Sequence, residues 1–213
     1  MLLDDFNRID AADLGPNWTA DTTNSGHLSP RIVSNAAATI ADANIRSAWW
    51  NGSTFGPDLE VAATIVDWET VGNLKGIRLQ ARFVEPDTAN VDGYEAMAYV
   101  STGGIDRTAF ARYNNGTPTF LSDTESPDDH QVGDIIKFTL SGADLSISRF
   151  RGSWTVINST TDGSPLLTAG YVGIYLDDNG FALDDFEVPS EVPPPPITDT
   201  LAIPHRGGRG SIW

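Results

Sequence analysis

Gly76-Ile77-Arg78-Leu79-Gln80-Ala81-Arg82-Phe83-Val84 alternates with a period of two. Ile77, Leu79, Ala81 and Phe83 then share one face, and Arg78, Gln80 and Arg82 share the other, the pattern of a half-buried β-strand. Working outward, Asp58 to Trp68 is a long β-branched run on the N-terminal side. Tyr94 to Val100 and Arg107 to Tyr113 follow on the other side, the second ending at Asn114-Asn115-Gly116, a hairpin-type turn. Further strands read as Ile135 to Leu140, Leu145 to Phe150, Trp154 to Ile157, Ala169 to Leu176 and Phe181 to Val188, with Gly-, Asp- and Ser-rich turns between them. No window carries a helical stripe. About a dozen short strands at 8–12-residue spacing predict an all-β fold, a two-sheet antiparallel jelly-roll sandwich.

The tetrad Leu3-Asp4-Asp5-Phe6 recurs as Leu183-Asp184-Asp185-Phe186. Matching strands at the two ends predict that the first and last strands lie side by side, closing a body over residues 1–188. Pro193 to Pro196 lie in a Pro-rich linker, 189–197, and a C-terminal extended arm occupies 198–213.

The chain of 213 residues has 29 acidic against 13 basic residues, a net charge of −16. In the segment after Val188, Glu191 and Asp199 balance Arg206 and Arg209, so the body carries the whole excess. Such a surface repels phosphate backbones, and no nucleic-acid partner is expected. There is no cysteine, so neither disulfides nor thiolate metal sites hold the fold. Met1-Leu2-Leu3 meets Asp4-Asp5 before any apolar region develops, so neither a signal peptide nor membrane insertion is expected.

Asp4-Asp5-Phe6-Asn7-Arg8 followed by Leu14-Gly15-Pro16-Asn17-Trp18 resembles the start of concanavalin A-like lectin/glucanase (LamG-like) jelly rolls. Gly170-Tyr171-Val172-Gly173-Ile174-Tyr175, then Asp184 to Val188, resembles their end. The opening is also similar to domains of minor tail and other virion proteins of actinobacterial phages. The resemblance covers 1–188 in outline, with its specific residues at the two ends. It implies a LamG-like β-sandwich in a non-enzymatic virion structural protein of the phage-tail type. Its body would be displayed outward toward host-surface glycan, and its localisation would be the virion, after synthesis in the host cytoplasm. The alternatives are a carbohydrate-binding module with no assembly role, and a glycoside hydrolase.

A hydrolase of this fold needs paired carboxylates roughly 5–9.5 Å apart. The Glu-x-Asp-x-x-Glu pattern common to such glucanases is absent, and Asp67-Trp68-Glu69 comes closest to it. No catalytic residue is assigned. A structural calcium would draw on Asp177, Asp178 and Asn179 in one turn, and on Asp4, Asp5, Asp184 and Asp185 if the terminal strands pair. Asp128-Asp129 is a lesser candidate. The same Asp-Asn-Gly run also suits a tight turn. Glycan contact would use Trp49 and Trp50 as stacking platforms, with Tyr99, Arg112 and Tyr113 lining a concave sheet; these residues also suit core and cross-strand packing. In the arm, Leu201, Ile203, Arg206, Arg209, Ile212 and Trp213 form an apolar and basic set suited to docking. The expected partners are other virion proteins and sister copies, in a homo-oligomer.

Overall fold

The computed structural model describes residues 1–21, 27–39, 45–70, 74–86, 88–177 and 180–189. The linker beyond Pro189 and the arm, with Leu201, Ile203, Arg206, Arg209, Ile212 and Trp213, lie outside the described residues, as do Asp178 and Asn179.

Among the described residues the secondary structure is β-strand throughout, in two antiparallel sheets. The first sheet holds eight strands: β1 (Leu2–Asp4), β3 (Arg31–Val33), β4 (Ala36–Ala38), β6 (Leu59–Trp68), β11 (Ile135–Ser141), β12 (Asp144–Phe150), β13 (Trp154–Thr161) and β15 (Phe181–Glu187). The second holds seven: β2 (Trp18–Ala20), β5 (Arg46–Trp50), β7 (Lys75–Val84), β8 (Asp92–Val100), β9 (Asp106–Asn114), β10 (Thr117–Glu125) and β14 (Tyr171–Leu176). The orders are β13-β12-β11-β6-β15-β4-β3, with β1 also on β15, and β10-β9-β8-β7-β14-β5-β2. The expected jelly-roll sandwich is therefore observed.

The terminal strands do pair, with Leu2 opposite Glu187 and Asp4 opposite Phe186. The Met1 ammonium donates to the Val188 carbonyl and so fixes the point where the chain leaves the body. The duplicated tetrads do not align aspartate with aspartate. Phe6 (φ 46°) and Asp185 (φ 50°) leave the extended conformation. Phe6 and Phe186 then enter the core on either side of Trp18, at ring-centroid distances of 5.8 and 5.1 Å.

The core lies between the sheets. Val61, Ile65, Phe138 and Leu183 of the first sheet meet Ile77, Leu79, Phe110, Val172 and Ile174 of the second, all at 2% exposure or less. Each large apolar side chain buried this way contributes about 1.5–3 kcal/mol. The Asn115-Gly116 turn forms as expected, with φ of 51° and 72°, joining β9 to β10.

One expectation fails along β7. Ile77, Leu79 and Ala81 belong to the core, but Phe83 does not. Arg82 has φ 55°, and the pairing slips there against both β8 and β14. This bulge turns Phe83 to the outer face and Arg82 toward one end of the sandwich. The Arg82 guanidinium there donates to the carbonyls of Pro57, Leu166 (2.9 Å) and Gly142 (3.0 Å). A bulge adds one residue to one strand and reverses the side on which later residues fall.

Candidate functional site

The outer face of the seven-stranded sheet carries two rows of side chains in register. One runs Ser47, Tyr175, Arg78, Met97, Ala109, Asp123; the next runs Trp49, Gly173, Gln80, Glu95, Ala111, Phe120. In the second row the small Gly173 and Ala111 lie on either side of Gln80 and Glu95, and in the first Ala109 lies beside Met97. A Cβ on Gly173 would lie 2.6 Å from Gln80 Oε1 and 2.7 Å from the Ala48 carbonyl, so only glycine admits the Gln80 side chain.

A polar network crosses these rows. Arg78 donates from Nη1 to Glu95 Oε2 (3.1 Å) and from Nη2 to Asp177 Oδ2 (3.2 Å). Gln80 Nε2 donates to Glu95 Oε1 (3.0 Å), and the Tyr113 hydroxyl donates to Glu95 Oε2 (3.1 Å). The Arg78 guanidinium stacks over Tyr175 at 4.0 Å. Glu95 is 2% exposed, unusual for a carboxylate on the outside of a sheet. Burial opposes the charge on Arg78, but Glu95 and Asp177 outweigh it and raise its pKa. Burial raises the Asp177 carboxyl against the pull of Arg78. It also raises the phenols of Tyr113 and Tyr175, with Glu95 and Asp177 adding to the effect. Removing one member of such a buried ionic set costs about 3–5 kcal/mol.

Two hollows flank the network. The larger, about 400 Å³, is lined mainly by apolar surface from Leu74, Met97, Tyr99 and Phe120, with Arg78, Asp123 and Asp177. Phe120 is 67% exposed at its rim. The smaller, about 130 Å³, is lined by Phe83, Tyr113 and Tyr175, by Gln80 and Glu95, and by Asp21 and His27. Its far wall is the β7–β8 connection, on which the β9–β10 turn rests. Gly116 N donates to the Val91 carbonyl at 2.9 Å, and a Cβ on Gly116 would lie 1.9 Å from the Ala89 carbonyl.

Of the residues expected to contact glycan, Trp49, Tyr99 and Tyr113 lie on this face. Trp49 is largely covered, at 7% exposure. Tyr99 donates to Asp123 Oδ1 (2.8 Å), and with Tyr113 it packs on the small cluster of Met97, Ala109 and Ala111. Trp50 does not belong to the face: it points inward and meets Trp18 edge-on at 5.7 Å. Nor does Arg112, which takes the opposite side of β9 and holds Asp162 at 2.8 Å and the Ser164 carbonyl at 2.8 Å. Period-two alternation puts neighbours such as Arg112 and Tyr113 on opposite faces. Asp67 and Glu69 belong to the other sheet's β6 and its end, away from this face.

The terminal aspartates do not form a calcium shell. Asp4 is already engaged by Arg8 (2.6 and 2.9 Å), Trp18 Nε1 (2.8 Å) and the Phe6 amide (2.9 Å). Asp5 accepts from Asn7 N, and Asp184 from Asp185 N. Burial, and the neighbouring carboxylates of Asp185, Asp5 and Asp4, raise the Asp184 carboxyl. Asp177 is bound to Arg78, and Asp128 to Arg149 at 2.7 Å. Among the described residues, no three His, Cys, Asp or Glu side chains are arranged to hold a metal.

The sequence reading missed Arg78, Gln80, Glu95, Tyr175 and Phe120 as site residues. A signal existed for three of them: Arg78, Gln80 and Glu95 are polar positions inside otherwise apolar strands. Phe120 gave none, because β10 reads Thr-Pro-Thr-Phe-Leu-Ser-Asp without clear alternation.

No protein-family model and no curated protein matches the sequence. Solved structures do match. The exoplasmic/lumenal domain of VIP36 in its Ca2+/Man-bound form superposes with a TM-score of 0.63 at 13% identity, over 84% of each chain. The carbohydrate-binding module CBM66 from Bacillus subtilis gives 0.53 at 16% identity, over 81% of this chain and 93% of its own. A legume lectin-like domain from Entamoeba histolytica gives 0.57 at 11% identity, over 83% and 91%. This chain therefore has the two-sheet β-sandwich fold of legume lectin-like and concanavalin-like domains. At such low identity the likeness is one of fold.

Proposed function

We propose that the chain is a non-catalytic carbohydrate-binding β-sandwich whose binding surface is the outer face of the seven-stranded sheet. The observation that carries this reading is the pre-ordered polar network Arg78–Glu95–Gln80–Asp177, set between two hollows and walled by Tyr99, Tyr113, Tyr175 and Phe120. Sugars are held by aromatic or apolar walls with a few fixed donors and acceptors, and these groups need no reordering to serve. Similarity of fold to VIP36 in its Ca2+/Man-bound form and to a carbohydrate-binding module supports the same reading.

The more specific reading is a virion component of the phage-tail type. The body would face host-surface glycan, and the arm would anchor it to the particle or to sister copies. The resemblance of the opening Asp4–Trp18 segment to minor tail proteins supports it.

The test is a glycan array followed by calorimetry on wild type and Phe120→Ser. Phe120 is exposed, so its loss leaves the core intact. Binding is expected to weaken at least 10-fold, about 1.4 kcal/mol, with an unchanged melting temperature. If no glycan binds, or the bound glycan ignores the substitution, the proposed face is wrong.

A further inference from the structure

The smaller hollow has a chemistry that sugar hydroxyls alone do not require. Its volume, about 130 Å³, is about a third of that of its neighbour. Three aromatic rings line it; Phe83 and Tyr113 stand 5.9 Å apart, and Tyr175 is set edge-on to His27 at 5.5 Å. Two carboxylates, Glu95 and Asp21, share the lining with Gln80, His27 and the β7–β8 connection. Aromatic faces and carboxylates together attract ammonium groups.

The cations of this face are already engaged. Arg78 holds Glu95 and Asp177, and Arg107 holds Asp123 at 2.9 Å. The face thus has four carboxylates against two guanidinium groups, within a chain of net charge −16. An incoming carboxylate or phosphate would meet repulsion and find every described cation of the face engaged.

We propose that the hollow between Phe83, Tyr113, Tyr175, Glu95 and Asp21 seats the ammonium group of an amino sugar, and that this face rejects saccharides bearing carboxylate or phosphate. The inference rests on the glycan-binding reading above and specifies its ligand class.

The experiment is calorimetry of the full-length chain with three tetrasaccharides: β-1,4-glucosamine, its fully N-acetylated counterpart, and a galacturonate. The glucosamine oligomer is expected to bind at least 10-fold tighter than the acetylated one and to weaken as salt rises from 0.05 to 0.5 M, with no binding of the galacturonate. Asp21→Asn and Glu95→Gln should each reduce the preference to under 3-fold. Asp21→Asn lies outside the Arg78 network, so it decides the matter if Glu95→Gln lowers the melting temperature. Equal or tighter binding of the acetylated oligomer, binding of the galacturonate, or an unchanged preference in Asp21→Asn would overturn the proposal. If these oligomers fail while a neutral glycan binds in a Phe120-dependent way, the amine inference falls and the glycan-binding face stands. If no glycan binds at all, both fall.

Discussion

His130 shows how a single residue ties stability to pH. It is 3% exposed in the β10–β11 connection, with its ring 4.9 Å from Trp68 and neither ring nitrogen hydrogen-bonded to protein. Burial, reinforced by Arg149 and Arg151 and opposed by Asp134, pushes the imidazole down to about 4. In the unfolded chain it titrates near 6.5. Between those values the unfolded chain takes up a proton that the folded chain refuses, so stability is held above pH 6.5 and falls as pH drops toward 4. The loss is on the order of 3 kcal/mol. Asp106, which accepts from the His130 amide, works the other way at the acid end because burial raises its carboxyl. His130→Phe, which keeps the ring and drops the titration, should flatten urea-midpoint stability between pH 6.5 and 4. An unchanged slope would show that other groups govern it.

At the scale of the element, the β7 bulge decides what the outer face can hold. Had alternation continued, Phe83 would lie in the core and the smaller hollow would lose a wall. The positive φ of Arg82 is a strained position for a non-glycine residue, and the carbonyls of Pro57, Leu166 and Gly142 hold it there. Arg82→Ala removes the donor to these part-buried carbonyls and leaves a cavity where the buried Arg82 side chain stood. It should cost about 3 kcal/mol, which for a body of this size is roughly 6–12 °C in melting temperature. A shift below 2 °C would mean that the bulge is held by the strand pairing alone.

At the scale of the whole molecule, the last strand sits inside the first sheet, with β1 sealing it, so truncation after Pro189 leaves the described body whole. On the proposed assembly role, the arm's apolar and basic residues would dock on the acidic body of a neighbouring copy. Light scattering should show an oligomer for the full chain and a monomer for 1–189, and only the full chain should enter particles. Monomers in both cases would exclude self-assembly through the arm, and particles that take up 1–189 would exclude anchoring by it.

The sequence by itself determined the fold class, the turn at Asn115-Gly116 and the pairing of the chain ends. Each follows from local chemistry: two-residue alternation, the φ > 0 tolerance of Asn and Gly, and a repeated apolar–acidic tetrad. It also placed Trp49, Tyr99 and Tyr113 among the residues of interest without showing that they share a face. The tertiary structure decided the rest. Whether Arg82 and Phe83 keep or break the alternation depends on carbonyls brought from residues 57, 142 and 166. Whether Asp4 and Asp177 wait for a metal or hold an arginine depends on where Arg8 and Arg78 arrive. The proposed site is two rows across strands, Trp49 to Phe120 and Ser47 to Asp123. Its members come together only through sheet order and register, which one-dimensional patterning does not encode.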